Sequence, residues 1–237
     1  MKVIVVGASG MVGQGVLREC LLDPEVERVL VVGRRALATG RRDAKLVERT
    51  VADLTNLSPI EGELAGYDAC FFCLGVTSAG MTEEAYRKVT YDITAVFAMV
   101  LARLNPGMTF VFVSGAGTDS TERGRVMWAR VKGAAENVVR AAGFKAAYMF
   151  RPGLIQPLHG IRSRTAVYRF LLTVLAPLVA LLRALFPAAV TTTENVGRAM
   201  LEVAKRGAPK AILETRDINT LALANALALR APTPGSL

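Results

Sequence analysis

The chain has 237 residues, of which 52% are hydrophobic, so it can bury a substantial core as one domain, and an intrinsically disordered chain is excluded. The net charge is +9, yet the arginines are scattered instead of clustered between aromatic residues, so we expect no nucleic-acid partner. Three cysteines in apolar segments and one histidine predict reduced thiols, a cytoplasmic location and no metal site.

The first twenty residues predict a strand, a glycine-rich turn and a helix. The apolar run Val3–Val6 leads straight into Gly7-Ala8-Ser9-Gly10-Met11-Val12-Gly13, and we expect no signal peptide before it. Gly7 would let the chain turn, Gly10 would let a phosphate approach the backbone, and Gly13 would let the helix pack on the strand. The free N–H groups at the start of the predicted helix Met11–Leu22 would then face the pyrophosphate of a dinucleotide.

Strands and helices alternate along the rest of the first 155 residues. Further strands are predicted at Val29–Val32, Lys45–Val51, Ala69–Leu74, Thr109–Val113 and Ala146–Phe150, and further helices at Glu83–Leu104 and Val126–Ala142. Apolar strands separated by helices form a parallel sheet covered on both faces. The expected fold is therefore α/β, a Rossmann-type doubly wound parallel sheet that binds its ligand at the carboxyl ends of the strands.

The pattern changes after residue 155. We expect residues 156–237 to form a small, mostly helical substrate-side region, with helices at Glu194–Lys205 and Ala222–Arg230, packed on the dinucleotide-binding core of residues 1–155. The apolar segment Val167–Phe186 contains two arginines and a proline. It favours helices that cover a substrate cleft or form a homodimer surface; association with a membrane surface is the alternative, and a membrane span is not expected.

The residues after the second and third strands indicate which dinucleotide is bound. An acid after the second strand would bind the ribose hydroxyls of NAD, whereas an arginine would pair with the 2′-phosphate of NADP. Arg34 and Arg35 stand there without a carboxylate, which favours NADP(H), unless both arginines are merely solvated. After the third strand, Asp53 is expected to accept from the adenine amino group and Leu54 to cover the ring, unless Asp53 is a plain turn residue.

Five short segments of residues 1–155 carry a family resemblance. They are Gly7–Gly10, Cys73–Thr77, Val113–Gly117, Val131–Glu136 and Arg151–Gly153. Together they resemble the short-chain dehydrogenase/reductase superfamily, and within it the atypical and extended epimerase/dehydratase-like proteins of the Tat-interacting-protein-like branch. The resemblance implies a nicotinamide coenzyme, lined by Cys73, Leu74 and Gly75 and flanked by Pro152.

The resemblance also implies a catalytic serine after the fifth strand and a Tyr-x-x-x-Lys motif on the next helix. In that set the lysine lowers the pKa of the tyrosine and holds the nicotinamide ribose, while the tyrosine transfers a proton. Ser114 and Lys132 occupy the serine and lysine positions. Trp128 stands where the tyrosine is expected, and an indole N–H cannot cycle a proton.

Three interpretations of this departure are open. The first is an oxidoreductase or epimerase-like enzyme on a small apolar carbonyl compound, with Ser114, a water or Tyr91 supplying the proton. The second is a coenzyme-binding sensor or interaction protein with little turnover, and the third makes Trp128 and Lys132 plain helix residues. The first is slightly favoured because Ser114 and Lys132 are both retained. The predicted catalytic residues are Ser114 and Lys132, and the predicted coenzyme-binding residues are Gly7, Ser9, Gly10, Met11, Val12, Gly13, Arg34, Arg35, Asp53, Leu54, Cys73, Leu74, Gly75, Lys132 and Pro152.

Overall fold

The computed structural model describes residues 1–37, 43–161 and 189–230. The strands are β1 (Lys2–Val6), β2 (Arg28–Gly33), β3 (Leu46–Thr50), β4 (Ala69–Phe72), β5 (Thr109–Val113), β6 (Ala146–Arg151), β7 (Leu154–Gln156), β8 (Val190–Thr192) and β9 (Ile212–Glu214). The helices are α1 (Met11–Leu22), α2 (Glu83–Arg87), α3 (Ile93–Leu104), α4 (Met127–Ala141), α5 (Thr193–Arg206) and α6 (Thr215–Arg230). A 3₁₀ helix spans Ser58–Glu63, and a π-helical turn, Lys88–Asp92, joins α2 to α3.

Seven parallel strands form the main sheet in the order β3-β2-β1-β4-β5-β6-β9, and β7 and β8 pair as a separate parallel ribbon. The strand order reverses between β1 and β4, so a crevice opens there at the carboxyl ends of the strands. The predicted Rossmann-type doubly wound sheet is therefore confirmed.

The alternating side chains of β1 build two apolar layers, one on each face of the sheet. Val3 and Val5 belong to the layer covered by α1, α5 and α6, whereas Ile4 and Val6 belong to the layer covered by α3 and α4. Because both faces are covered, each central strand is apolar on both sides, which is why its sequence is a continuous apolar run.

The C-terminal elements pack on the same core. β9 adds the seventh strand beside β6, and α5 crosses α1 where Gly15 and Gly197 allow close backbone approach. The nearly inaccessible carboxylate of Asp23, after α1, pairs with Lys205 of α5 at 2.7 Å. The core of residues 1–155 and the described part of the C-terminal region thus share one sheet and one apolar layer.

Several elements differ from the sequence predictions. The short strands β7, β8 and β9 are not predicted, and α6 begins at Thr215 instead of Ala222 because Ile218 and Ala222 pack together in the apolar layer. The apolar segment 167–186 lies outside the described residues. Within the part of the chain that the structure describes, no helix is long and apolar enough to cross a bilayer.

Candidate functional site

The glycine-rich turn after β1 forms a bare backbone cradle at the start of α1. Gly7 has φ +84°, and a Cβ there would lie 2.6 Å from the backbone nitrogen of Leu74. A Cβ at Gly13 would lie 2.2 Å from the carbonyl oxygen of Gly7, so α1 packs against the turn as the sequence predicts. Gly10 is the N-cap of α1 without a side-chain cap, and a Cβ there would meet only the Gly7 oxygen at 3.4 Å. The first-turn N–H groups of α1 therefore face open space that an anion can enter.

A cavity of about 350 Å³ opens on one side of this turn, at the end of β2. Its described lining residues are Gly7, Ala8, Ser9, Val31, Val32, Gly33, Arg34, Arg35, Leu37, Leu54 and Leu74. Arg34 and Arg35 are exposed, and neither forms an ion pair with a carboxylate of the described residues. Two guanidinium groups at the rim of a small cavity beside a helix N-terminus suit a phosphate-bearing ligand.

Asp53 is not among the described residues that line this cavity, although its neighbour Leu54 is. The Asp53 carboxylate accepts hydrogen bonds from the backbone N–H and the hydroxyl of Thr55, at 2.9 and 2.7 Å. These bonds hold the pKa of Asp53 below its usual value. Asp53 thus forms a local turn, the alternative noted from the sequence, and its contact with adenine stays a prediction.

A second cavity, of about 520 Å³, lies on the other side of the turn and shares Leu74 with the first. The predicted residues Gly10, Met11, Val12, Cys73, Leu74, Gly75, Ser114, Lys132 and Pro152 line it together with Val76, Thr77, Ser78, Tyr86, Val113, Gly115, Trp128, Gly153 and Ile155. Every predicted site residue except Gly13 and Asp53 therefore lines one of two adjoining cavities. Gly13 lies outside both cavities and allows α1 to pack closely against the turn.

Lys132 is the one cation among the residues described on the wall of the second cavity. Its Nζ donates to the carbonyl oxygens of Val113, at 3.4 Å, and of Ser114, at the end of β5. Burial lowers the pKa of Lys132 to about 8, and the negative charge of Glu136 only partly opposes this shift. Trp128 lies one helical turn before Lys132 on α4, so both side chains face the same cavity.

The hydrogen bonds of the Ser114 hydroxyl differ from those expected of the catalytic serine that the resemblance implies. It is buried and donates to the Glu136 carboxylate at 2.5 Å. Glu136 is fully inaccessible and also accepts from Arg151 Nε at 2.9 Å and from the Ser120 hydroxyl at 3.2 Å. Because a hydroxyl has one proton, Ser114 can offer a ligand an acceptor lone pair while this bond persists, but no donor.

The tyrosines are placed differently from the sequence-based expectation. The Tyr91 ring packs against the Arg87 guanidinium, whose Cζ lies 3.9 Å from the ring centroid. The Tyr148 hydroxyl accepts from the Ala208 N–H. Neither is among the described residues that line the second cavity, so Tyr91 is not positioned as the proton donor. Tyr86 of α2 does line it, although no local sequence signal marks this residue. Burial raises the pKa of Tyr86, and an interaction with the Thr90 hydroxyl acts in the opposite direction.

The single histidine and the Cys-x-x-Cys spacing have structural surroundings. His159 Nε2 contacts the Glu194 carboxylate, which also pairs with Arg198 at 2.7 Å. Cys70 and Cys73 are free thiols that pack in the layers on opposite faces of the sheet. This separation does not suit a shared metal ion or a disulfide.

Comparisons with known proteins agree with this geometry. Residues 2–100 match the family model of the semialdehyde dehydrogenase, NAD binding domain. Protein HTATIP2 of Rattus norvegicus is 29% identical over 154 residues, which cover 65% of this chain and 62% of that protein. Protein FMP52, mitochondrial, of Saccharomyces cerevisiae is 30% identical over 167 residues, which cover 70% of this chain and 69% of that protein.

The alignments also define how far the likeness extends. The matched part of the chain spans a little under two thirds of the rat protein. Among solved structures, the Bordetella bronchiseptica enzyme WbmF in complex with NAD+ has a TM-score of 0.64 at 15% identity, over 98% of this chain and 79% of that one. At that identity the similarity shows a common fold and no more.

Proposed function

Because this chain belongs to the family of the HTATIP2 and FMP52 proteins, with the Rossmann fold of short-chain dehydrogenase/reductase and epimerase-like proteins, we propose that it is an NADP(H)-dependent oxidoreductase acting on a small apolar carbonyl compound. The observation that carries the proposal is the pair of adjoining cavities around the glycine turn. One has two arginines at its rim, and the other has a half-buried lysine in a wall of apolar and uncharged polar residues.

The residues of the first cavity fit the phosphate-bearing half of the coenzyme. The bare turn at Gly7 and Gly10 and the N–H groups of α1 would hold the pyrophosphate. Arg34 would bind the 2′-phosphate that distinguishes NADP from NAD, with Arg35 beside it. Leu54 would cover the adenine, since it is buried in the cavity wall.

The second cavity fits the reactive half of the coenzyme and a substrate. A bound nicotinamide coenzyme supplies or accepts the hydride. Lys132 would place a positive charge beside the substrate oxygen, where negative charge develops during reduction. Met11, Val76, Trp128 and Ile155 provide apolar walls that favour an apolar carbonyl compound over a sugar nucleotide.

Turnover is tested by NADPH oxidation with a panel of aliphatic and aromatic aldehydes and ketones. We expect wild-type protein to consume NADPH with at least one apolar carbonyl compound and Lys132→Ala to lose that activity. Protein that binds NADPH but oxidises none of it across the panel would contradict the enzymatic proposal. Loss of activity in Lys132→Ala with an unchanged unfolding midpoint separates a functional defect from a folding defect.

A second candidate is a coenzyme-binding sensor or interaction protein with little turnover. Two observations favour it: Trp128 takes the tyrosine position, and the Ser114 proton is donated to Glu136. The variant Trp128→Tyr separates the two candidates. Activity that arises only in this variant, with coenzyme bound equally by wild type, would support the sensor.

The cellular compartment and the oligomeric state also stay predictions. The three free thiols suit a reducing compartment such as the cytoplasm, whereas the name of the yeast relative FMP52 includes mitochondrial. Cell fractionation tests the first point, and sedimentation of the purified chain tests for the proposed homodimer.

A further inference from the structure

Among the described residues on the wall of the second cavity, no tyrosine stands one helical turn before Lys132, the position from which the resemblance implies that a proton moves to a carbonyl oxygen. Trp128 takes the tyrosine position, and its indole can donate a hydrogen bond but cannot exchange a proton near neutral pH. Carbonyl reduction therefore needs another side chain on this wall that can release a proton and regain it.

Most other proton-bearing side chains described on this wall are unsuited to that task. The Ser114 hydroxyl proton is held by Glu136. Burial raises the pKa of the Tyr86 phenol and of the Cys73 thiol, which makes both weaker acids. Thr77 and the neighbouring Ser78 carry ordinary hydroxyls, which ionise far above neutral pH.

Lys132 has the position and the chemistry that these groups lack. Its amine lies at the carboxyl end of β5, where two backbone carbonyls accept two of its three protons. The third N–H is left for a ligand in the cavity that Lys132 lines. We propose that Lys132 itself, and not a tyrosine, delivers the proton to the substrate oxygen. This inference rests on the proposed carbonyl reduction.

The step balances in atoms and charge. The carbonyl carbon would accept a hydride, which a bound reduced nicotinamide coenzyme would supply, and the π electrons of the C=O bond would move onto the oxygen. One Nζ–H bond of the Lys132 ammonium breaks, and an O–H bond forms. The products are the alcohol, the oxidised coenzyme and a neutral amine, which regains its proton from water.

The surroundings of Lys132 support such a proton cycle near neutral pH. Among the described residues, Glu136 acts on Lys132 from its own helix, Tyr86 of α2 and Cys73 after β4 line the same cavity, and Arg151 of β6 contacts Glu136. Arg151 forms a two-point ion pair with Glu136, which limits the attraction that Glu136 exerts on the lysine. Burial therefore dominates, and the pKa of Lys132 falls to about 8, so the ammonium can release a proton near neutral pH and regain it.

The first test measures the proton directly and needs no turnover. Trace acylation with acetic anhydride, read by mass spectrometry of the Lys132 peptide, reports the fraction of neutral amine as the pH is raised. We expect half-maximal labelling of the folded chain near pH 8 and of the same lysine in urea near the model-peptide pKa of about 10.4. Identical labelling curves for folded and unfolded chain would overturn the inference.

The second test compares reduction rates and coenzyme binding. Because the ammonium is the reactive form, the wild-type rate should fall as pH rises through about 8. Lys132→Arg keeps a positive charge but cannot release a proton near neutral pH, so its kcat should fall about 100-fold or more while NADPH affinity changes less than about tenfold. In Trp128→Tyr/Lys132→Arg a tyrosine replaces the lost donor, and we expect part of the rate to return.

The outcomes separate this inference from the proposed function. If wild type turns over and Lys132→Arg keeps its rate and alkaline limb, Lys132 is not the proton donor, although the oxidoreductase proposal stands. If Tyr86→Phe, and not Lys132→Arg, loses the alkaline limb, the donor is Tyr86. If wild type binds NADPH and reduces nothing in the panel, the oxidoreductase proposal fails and this inference fails with it.

Discussion

Replacement of Gly10 and of Gly13 by alanine should separate coenzyme binding from folding, although the two glycines are three residues apart. Gly10 has φ −82° and ψ 168°, which alanine adopts freely, and its added Cβ would meet only one backbone oxygen at 3.4 Å. Gly10→Ala should therefore change the free energy of unfolding by less than about 1 kcal/mol. Its methyl group would stand where a pyrophosphate approaches the turn.

The expected change in NADPH affinity for Gly10→Ala follows from the free energy of one hydrogen bond. A charged hydrogen bond contributes about 1.5–3 kcal/mol, so displacement of the pyrophosphate from one backbone N–H should raise the Kd for NADPH by about 10- to 100-fold. Isothermal titration calorimetry measures this change. Gly10→Ala that binds NADPH as tightly as wild type would refute the phosphate cradle.

Gly13→Ala should behave in the opposite way. Its Cβ would lie 2.2, 2.7 and 2.8 Å from backbone atoms of Gly7 and Ala8, none of which can rotate away. Forced packing costs about 1–3 kcal/mol and occasionally more, and three contacts with fixed backbone put Gly13 at the upper end of that range. The cost therefore exceeds the benefit of about 1 kcal/mol that alanine brings to a helix interior at most sites. The control is Gly62→Ala, where the added Cβ meets no atom within 4 Å. Urea denaturation that finds Gly13→Ala as stable as Gly62→Ala would contradict the reasoning.

Three further outcomes follow from single groups. Arg34→Ala should weaken NADPH binding by about 10- to 100-fold and leave NADH binding nearly unchanged in calorimetry, and an equal loss for both would remove Arg34 from the 2′-phosphate site. Lys205→Met leaves the buried Asp23 carboxylate without its ion-pair partner and should lower the free energy of unfolding by about 3–5 kcal/mol. The control Lys88→Met removes an exposed ion pair and should lower it by less than about 1 kcal/mol. Equal effects in urea denaturation would show that burial does not set the cost. Burial raises the pKa of the Cys20 and Cys70 thiols, so iodoacetamide at mildly alkaline pH should label these two residues slowly in the folded chain and completely in the unfolded chain. Rapid labelling of either residue in the folded chain would contradict its placement in the core.

Local signals made the first half of the fold predictable. Helix Met11–Leu22 and strand Thr109–Val113 have the predicted bounds, because a glycine turn, a proline and a continuous apolar run mark their ends. Thr82, a residue type that favours helix N-caps, caps α2, with its hydroxyl accepting from the Ala85 N–H at 3.2 Å. These features depend on residues that are close in the chain.

Features that depend on distant parts of the chain were not predictable. Strand β9 has three residues, and its pairing with β6 depends on an alignment that no local pattern encodes. Tyr86 reaches the second cavity because α2 packs against α4, which the sequence does not state. Glu136 belongs to one of the family-like segments, but its bond to the Ser114 hydroxyl depends on how α4 packs on β5.

Coenzyme binding is the central claim, and calorimetric titration of the folded chain with NADPH and with NADH tests it most directly. We expect one NADPH per chain, bound at least about tenfold more tightly than NADH, which corresponds to about 1.4 kcal/mol from the 2′-phosphate. Tighter binding of NADH would contradict the role of the arginines after β2. A folded chain that releases no heat of binding with either coenzyme would contradict the central claim itself.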